Sequence, residues 1–185
     1  LPAWTLRPAD PADAAAIARV HVVARREAYA AFLPAAAIDD RTLAERAAVW
    51  TQRLADPPAH GLVAIMVGGL ERRLVGFVTA GPQRAPELVR QGLRGEVHAL
   101  YVLRAAQRTG LGGALLEAAR RALEGSGLVG TGLWTFADNH VARRFYARAG
   151  GLELGVSRSL EIAGHSLLEL AYGWPASPGA TRPGR

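Results

Sequence analysis

Glu96-Val97-His98-Ala99-Leu100-Tyr101-Val102, a short break, then Gln107-Arg108-Thr109-Gly110-Leu111-Gly112-Gly113 and an Ala/Leu-rich run to Leu123: this stretch decides the fold. An apolar run of strand length meets a glycine turn, and the turn opens onto a helix. Glycines at such a place let the backbone come close to a ligand. The first amides of the helix have no intrahelical acceptor and point the same way. With the positive end of the helix dipole they make an anion site suited to a pyrophosphate. Arg108 can add a charge-assisted contact.

Outward from that stretch, residues 4–7 alternate up to Pro8 and read as a strand. Asp10-Pro11 opens a helix running to about Tyr29, and Pro34 breaks it. Asp39 or Asp40 is expected to cap a second helix that stops before Asp56-Pro57-Pro58. Residues 62–67 and 74–80 read as strands with Gly68-Gly69 as the link, and 81–94 reads as a loop. The helix over 114–123 is followed by a glycine-rich loop, 125–132, and a strand over 133–136. Asp138-Asn139 can cap a helix over 141–149, which Gly150-Gly151 ends. Residues 152–156 and 166–172 read as a closing strand pair. This order predicts an α/β fold, a mixed sheet with helices on both faces. It fits one domain over residues 1–174, with a disordered Pro/Gly-rich tail over 175–185.

Two motifs carry a family resemblance. Gln107-x-x-Gly110-x-Gly112 after an apolar strand resembles the acyl-CoA signature of GNAT acetyltransferases. Asn139 followed by Ala142, Phe145, Tyr146 and Gly150 resembles that family's Asn-x-x-Ala-x-x-Phe-Tyr-x-x-x-Gly segment. One helix and one strand separate them, as in the family. The resemblance implies a mostly antiparallel sheet that splays between the fourth and fifth strands, and acetyl transfer from acetyl-CoA to an amine. It implies that backbone groups of Leu100, Tyr101 and Val102 bond the pantetheine arm, one of them polarising the thioester carbonyl. It places the pyrophosphate on Gln107, Arg108, Thr109, Gly110, Leu111, Gly112 and Gly113. Asn139 would bond the arm, and Tyr146 would act as general acid at the sulfur. Glu96 stands where many members place a general base, and burial would help by raising its pKa. His98 is the next candidate. Tyr29, Phe32 and Trp50 fall where the family often places the acceptor. Two departures show: the closing motif usually ends Gly-Phe, whereas here it ends Gly150-Gly151, and the strand before Trp134 carries extra glycines.

Composition removes several alternatives. The 185-residue chain has no cysteine, which excludes disulfides, thiolate metal sites and cysteine nucleophiles and points to the cytoplasm. It has no lysine, so Schiff-base and P-loop lysines are excluded as well. The net charge of +6 is carried entirely by arginine and favours acidic ligands such as CoA. No apolar run is long enough to span a bilayer, and residues 1–13 carry three prolines and two aspartates where a signal peptide needs an apolar core. No His/Asp/Glu cluster has metal spacing, so no metal is expected.

Each motif residue also has a structural reading. The glycines could form an ordinary turn, Glu96 could be solvated, His98 could be a partner-bonded buried ring, and Asn139 could be a helix cap. Tyr146, Tyr29, Phe32 and Trp50 could simply fill the core. Gly125-Ser126-Gly127-Leu128-Val129-Gly130 matches a dinucleotide GxGxxG but follows a helix and precedes a strand, so it reads as a loop. The competing functions are a non-catalytic acyl-CoA-binding module on the same fold and an arginine-rich nucleic-acid binder. The arginines are scattered and no reader motif exists, so neither nucleic acid nor membrane is expected as a partner. The acceptor stays open, as does the oligomeric state, homodimers being common in the family.

Overall fold

The computed structural model describes residues 4–38, 41–70 and 73–176. Its strands are β1 (Trp4–Pro8), β2 (Ala64–Leu70), β3 (Arg73–Pro82), β4 (Gly95–Val102), β5 (Thr131–Phe136), β6 (Leu152–Ile162) and β7 (His165–Trp174). The helices are α1 (Ala14–Tyr29), α2 (Ala35–Ile38), α3 (Leu43–Ala55), α4 (Pro86–Arg90), α5 (Leu111–Gly125) and α6 (His140–Arg148). The sheet order is β1-β2-β3-β4-β5-β7-β6. Every neighbouring pair is antiparallel except β4–β5. The expected mixed sheet is therefore present. No described helix is long and apolar enough to cross a membrane.

Local chemistry sets the helix starts. Asp10 accepts from the Ala12 amide, and Asp13 reaches back to the Asp10 amide at 2.9 Å. Arg7 grips Asp13 at 2.6 and 2.8 Å and so ties β1 to the α1 entry. At α3 the cap is Thr42, whose hydroxyl accepts from the Glu45 amide at 3.2 Å while Glu45 returns to the Thr42 amide at 2.7 Å. This reciprocal box satisfies two donors at once and corrects the expectation of an aspartate cap. Asp39 and Asp40 themselves lie outside the described residues, as do residues 177–185 of the expected tail.

Helices cover both faces. On one, Ile17, Val20, Trp50 and Leu54 of α1 and α3 pack against Ile65, Val67 and Phe77. On the other, Leu111, Leu115, Ala119 and Leu123 of α5 meet Val78, Ala80, Val97 and Leu133. The first face continues under α2 and α4, where Leu88 and Ala37 cover Ala171, Phe136 and Leu167. Trp50 is fully buried, which settles it as core. Its indole donates to His21 Nδ1 at 3.3 Å. Burial, with the charges of Arg46, Arg25 and Arg53, pushes the His21 pKa down to about 3, so the ring is a neutral acceptor.

Three expectations need correction. Gly68 and Gly69 do not link β2 to β3; they lie inside β2, with a bulge between them. A Cβ on Gly68 would stand 2.5 Å from a Leu111 methyl, so α5 packs closely over the sheet at this glycine. The 81–94 segment contains α4, which starts with Pro86 at a first-turn position where its missing N–H costs nothing. The closing strands are longer than read and meet at a turn through Ala163 and Gly164, both at positive φ (49° and 78°), as tight hairpins require.

Candidate active site

The site begins where the sheet opens. β4 follows β3 down to the pair Gly76↔Val102. Against β5 it pairs only at Gly95↔Thr131 and Glu96↔Gly132. Beyond Glu96 the two strands part, and among the described residues no strand covers the β5-side edge of β4 there. The β3–β4 register jumps from Thr79↔Ala99 to Ala80↔Val97, leaving His98 as an extra residue. Such a bulge adds local twist and bends the strand, which favours the parting.

The N-terminus of α5 lies beside this gap. Gly110 is left-handed at φ 89°, and Arg108 is left-handed at φ 60° although it carries a side chain. Side chains tie the loop carbonyls: Gln107 donates to Val102 O at 3.1 Å, the Thr109 hydroxyl to Ala106 O at 2.8 Å, and the Trp4 indole to Thr109 O at 3.0 Å. Among the described residues, the first α5 amide with a backbone acceptor is that of Ala114, at 3.1 Å from Gly110 O. The amides of residues 111–113 thus form the open helix end, and a Cβ on Gly113 would meet nothing within 4 Å. This is an uncrowded, positively polarised cradle.

On the α5 face, α6 presents Tyr146, which is 8% exposed. Its ring packs among Phe145, Tyr172 and Trp174 at 5.2, 6.0 and 6.2 Å. Burial, with a smaller effect from Tyr101, raises the phenol pKa well above 10. Asn139 caps α6 through Oδ1, 3.1 Å from the Ala142 amide, a cap that does not use its Nδ2 group. On the α1 face, the Tyr29 and Tyr101 hydroxyls are 3.1 Å apart, and Tyr29 packs on Phe32 and Phe136 at 5.6 and 5.2 Å.

Glu96 stands at the vertex on the α1 face. Its carboxylate accepts from Arg84 Nε at 3.1 Å, Nη2 at 2.6 Å and the backbone amide at 3.0 Å. Burial works to raise its pKa, but the hydrogen bonds and charge of Arg84 outweigh that and hold it below the ordinary carboxylate value. The expected upward shift is therefore reversed. His98 Nε2 lies 4.0 Å from Glu96 and 3.4 Å from Pro82 O. Burial and the Arg84 charge lower its pKa against the opposing pull of Glu96. Among the described residues, no three His, Asp or Glu side chains gather as a metal site.

Residues 24–151 match the model of the acetyltransferase (GNAT) family. The chain belongs to the GNAT family. A curated relative, an uncharacterized N-acetyltransferase YuaI of Bacillus subtilis strain 168, is 30% identical over 172 residues, 92% of each chain. The fold is similar to that of the PaiA N-acetyltransferase from Thermoplasma acidophilum in complex with coenzyme A (TM-score 0.68, 14% identity, 93% of this chain and 99% of that one). It is also similar to YncA from Salmonella typhimurium, a putative acetyltransferase with acetyl-CoA (TM-score 0.67, 22% identity, 98% of each).

This GNAT chain fills its motif departure from elsewhere. A Cβ on Gly151 would stand 2.7 Å from the Trp174 indole, so that ring occupies the space beside the glycine. The indole N–H donates to Ala149 O at 2.8 Å. Sequence reasoning also missed Arg84, Arg158 and Glu169. The Arg158↔Glu169 pairing follows from the β6–β7 register and was legible only once the turn was placed. Nothing in the sequence tied Arg84 to Glu96.

Proposed function

We propose that this GNAT member transfers an acetyl group from acetyl-CoA to a primary amine by direct attack in a ternary complex. The observation that carries the reading is the opening between β4 and β5 beside the glycine-led end of α5. Bound acetyl-CoA supplies a thioester, an acyl donor with a thiolate leaving group. The open edge of β4 at Leu100, Tyr101 and Val102 suits the pantetheine amides, which would pair as an added strand. The loop of Gln107, Arg108, Thr109 and Gly110, with the amides of Leu111, Gly112 and Gly113, suits the pyrophosphate. The Nδ2 group of Asn139 can donate to the arm while Oδ1 caps α6. The structures of PaiA with coenzyme A and of YncA with acetyl-CoA support this reading.

Proton handling follows from the neighbours of each group. Glu96 is committed to Arg84, and its lowered pKa makes it a weak base. His98 is neutral near pH 7 and accepts the amine proton, directly or through water. Tyr146 keeps its own proton, because thiols ionise near ~8.5 and this phenol well above 10. It steadies the departing sulfur by a hydrogen bond, and the thiolate takes the second proton that the nitrogen sheds as the amide forms. Gly112→Asp tests the cradle: the added Cβ stands 3.4 Å from the Phe145 ring, at the edge of ordinary contact. The new carboxylate should lower acetyl-CoA affinity by about tenfold or more, ~1.4 kcal/mol. Calorimetry showing unchanged affinity in the folded variant removes the reading.

A further inference from the structure

Two buried carboxylates stand on the α1 face: Glu96, 2% exposed, and Glu169, 9% exposed. Glu169 alternates along β7 with Leu167 and Ala171, which pack under α2 and α4. Each carboxylate holds an arginine whose own side chain stays in solvent, Arg84 at 64% exposure and Arg158 at 40%. Glu96 grips Arg84 through Nε and Nη2. Glu169 grips Arg158 through Nε at 2.7 Å, and that guanidinium lies 4.2 Å from the Trp134 ring centre. Both arginines are held side-on. Nη1 of Arg84 and both Nη atoms of Arg158 have no hydrogen-bond partner among the described residues. The two carboxylates flank β5 from either side, Glu96 on β4 opposite Gly132 and Glu169 on β7 opposite Phe136.

Their position is tied to the vertex. Glu96 is the last β4 residue paired with β5, and Trp134 follows Gly132 by two on β5. The ion pairs cancel in charge. Arg53 remains as surplus: it forms no ion pair among the described residues and lies 5.3 Å from the Trp50 ring centre. A guanidinium fixed before ligand arrives loses little freedom on binding, and its fork matches a carboxylate.

We propose that the acceptor is a small amine bearing its own carboxylate: a free α-amino acid with an apolar or aromatic side chain. The outward nitrogens of Arg84 and Arg158 take the carboxylate, and the aromatic wall of Tyr29, Phe32 and Phe136 receives the side chain. This rests on the acetyltransferase reading and narrows it. A polyamine has no carboxylate for the outward nitrogens to hold and would bring positive charge toward the surplus Arg53, which disfavours it.

The test is thiol release from acetyl-CoA by the full chain with phenylalanine, phenylalaninamide, phenethylamine, spermidine and a dipeptide. The first three share an amine and a ring and differ in the carboxylate. Phenylalanine should lead the amide and the amine by about tenfold or more in kcat/KM. Arg158→Leu should cost about tenfold more on phenylalanine than on phenethylamine, with Arg158→Lys recovering part of the loss. Equal losses on both would overturn the role of Arg158. A preference for the amide, phenethylamine, spermidine or the dipeptide overturns the acceptor class and leaves acetyl transfer standing. Release from none of them overturns the acceptor class, and the acetyl-CoA calorimetry of Gly112→Asp then decides the acetyltransferase reading separately. The wild-type series decides the acceptor class even if the Arg158 variants do not fold.

Discussion

Replacing His98 with glutamine asks which side chain takes the acceptor's proton. Its ring is the extra residue of the β4 bulge, 10% exposed, with Nε2 4.0 Å from Glu96. Its pKa lies below 6.5, lowered by burial and by Arg84. At pH 7.5 such a group is at least about nine-tenths neutral and ready to accept. A positioned base contributes about 10²- to 10⁴-fold, so His98→Gln should lower kcat/KM near pH 7 by about 10²-fold or more. An acceptor amine arrives mostly as ammonium below its pKa, ~7.7–8.0 for a chain-end amine and ~10.4 for a lysine-like one. The variant must draw on the free amine, so its rate should climb about tenfold per pH unit below that pKa, where wild type stays flat. The sign in acid is the reverse: wild type loses activity as pH falls through the folded His98 pKa, below 6.5, and the variant lacks that break. Glu96→Gln removes the carboxylate that raises the His98 pKa, so its acid limb should move to lower pH with a modest loss at neutrality. The assay is a pH–rate profile of the three proteins with one confirmed acceptor. A His98→Gln enzyme with wild-type turnover at pH 7 and an unchanged acid limb would refute the reasoning. A Glu96→Gln enzyme that loses both would return the role to Glu96.

Since the chain has no cysteine to carry an acetyl group, double-reciprocal initial-rate lines should intersect; parallel lines, or acetylated protein isolated without acceptor, would overturn direct attack. Tyr146→Phe should lower kcat by about tenfold or less and leave acetyl-CoA affinity nearly unchanged, because the phenol supplies a hydrogen bond and no proton. A loss as large as that of His98→Gln would make it a true acid.

The parts of this molecule that were legible in the sequence are those fixed by local rules. The β4–α5 and β5–α6 segments combine an apolar run, a glycine or asparagine and a helix, and each constraint acts within a few residues. The Thr42–Glu45 box was equally local and was passed over for the acidic pair before it. Gly68 could not be read correctly, because the atom that crowds it belongs to Leu111, far along the chain. The same holds for the chemistry of Glu96. Its strand position was visible, but the sign of its pKa shift depends on Arg84, which reaches it across the β3–β4 connection. The Arg158–Glu169 pair needs a turn register that Ala163-Gly164 signals weakly.

The Trp174 indole lying over Gly151 limits how this chain can change through descent. A phenylalanine arriving first at 151 meets an occupied volume, with backbone and ring both in the way. Trimming Trp174 first leaves a cavity and strands the Ala149 carbonyl that its N–H now satisfies. A large-to-small core change alone costs about 3–5 kcal/mol, a large part of a domain's net stability. Either single step therefore passes through a weakened ancestor, while the two together restore a filled volume. The positions should be inherited as a pair, and a lineage that acquired the indole is held to it.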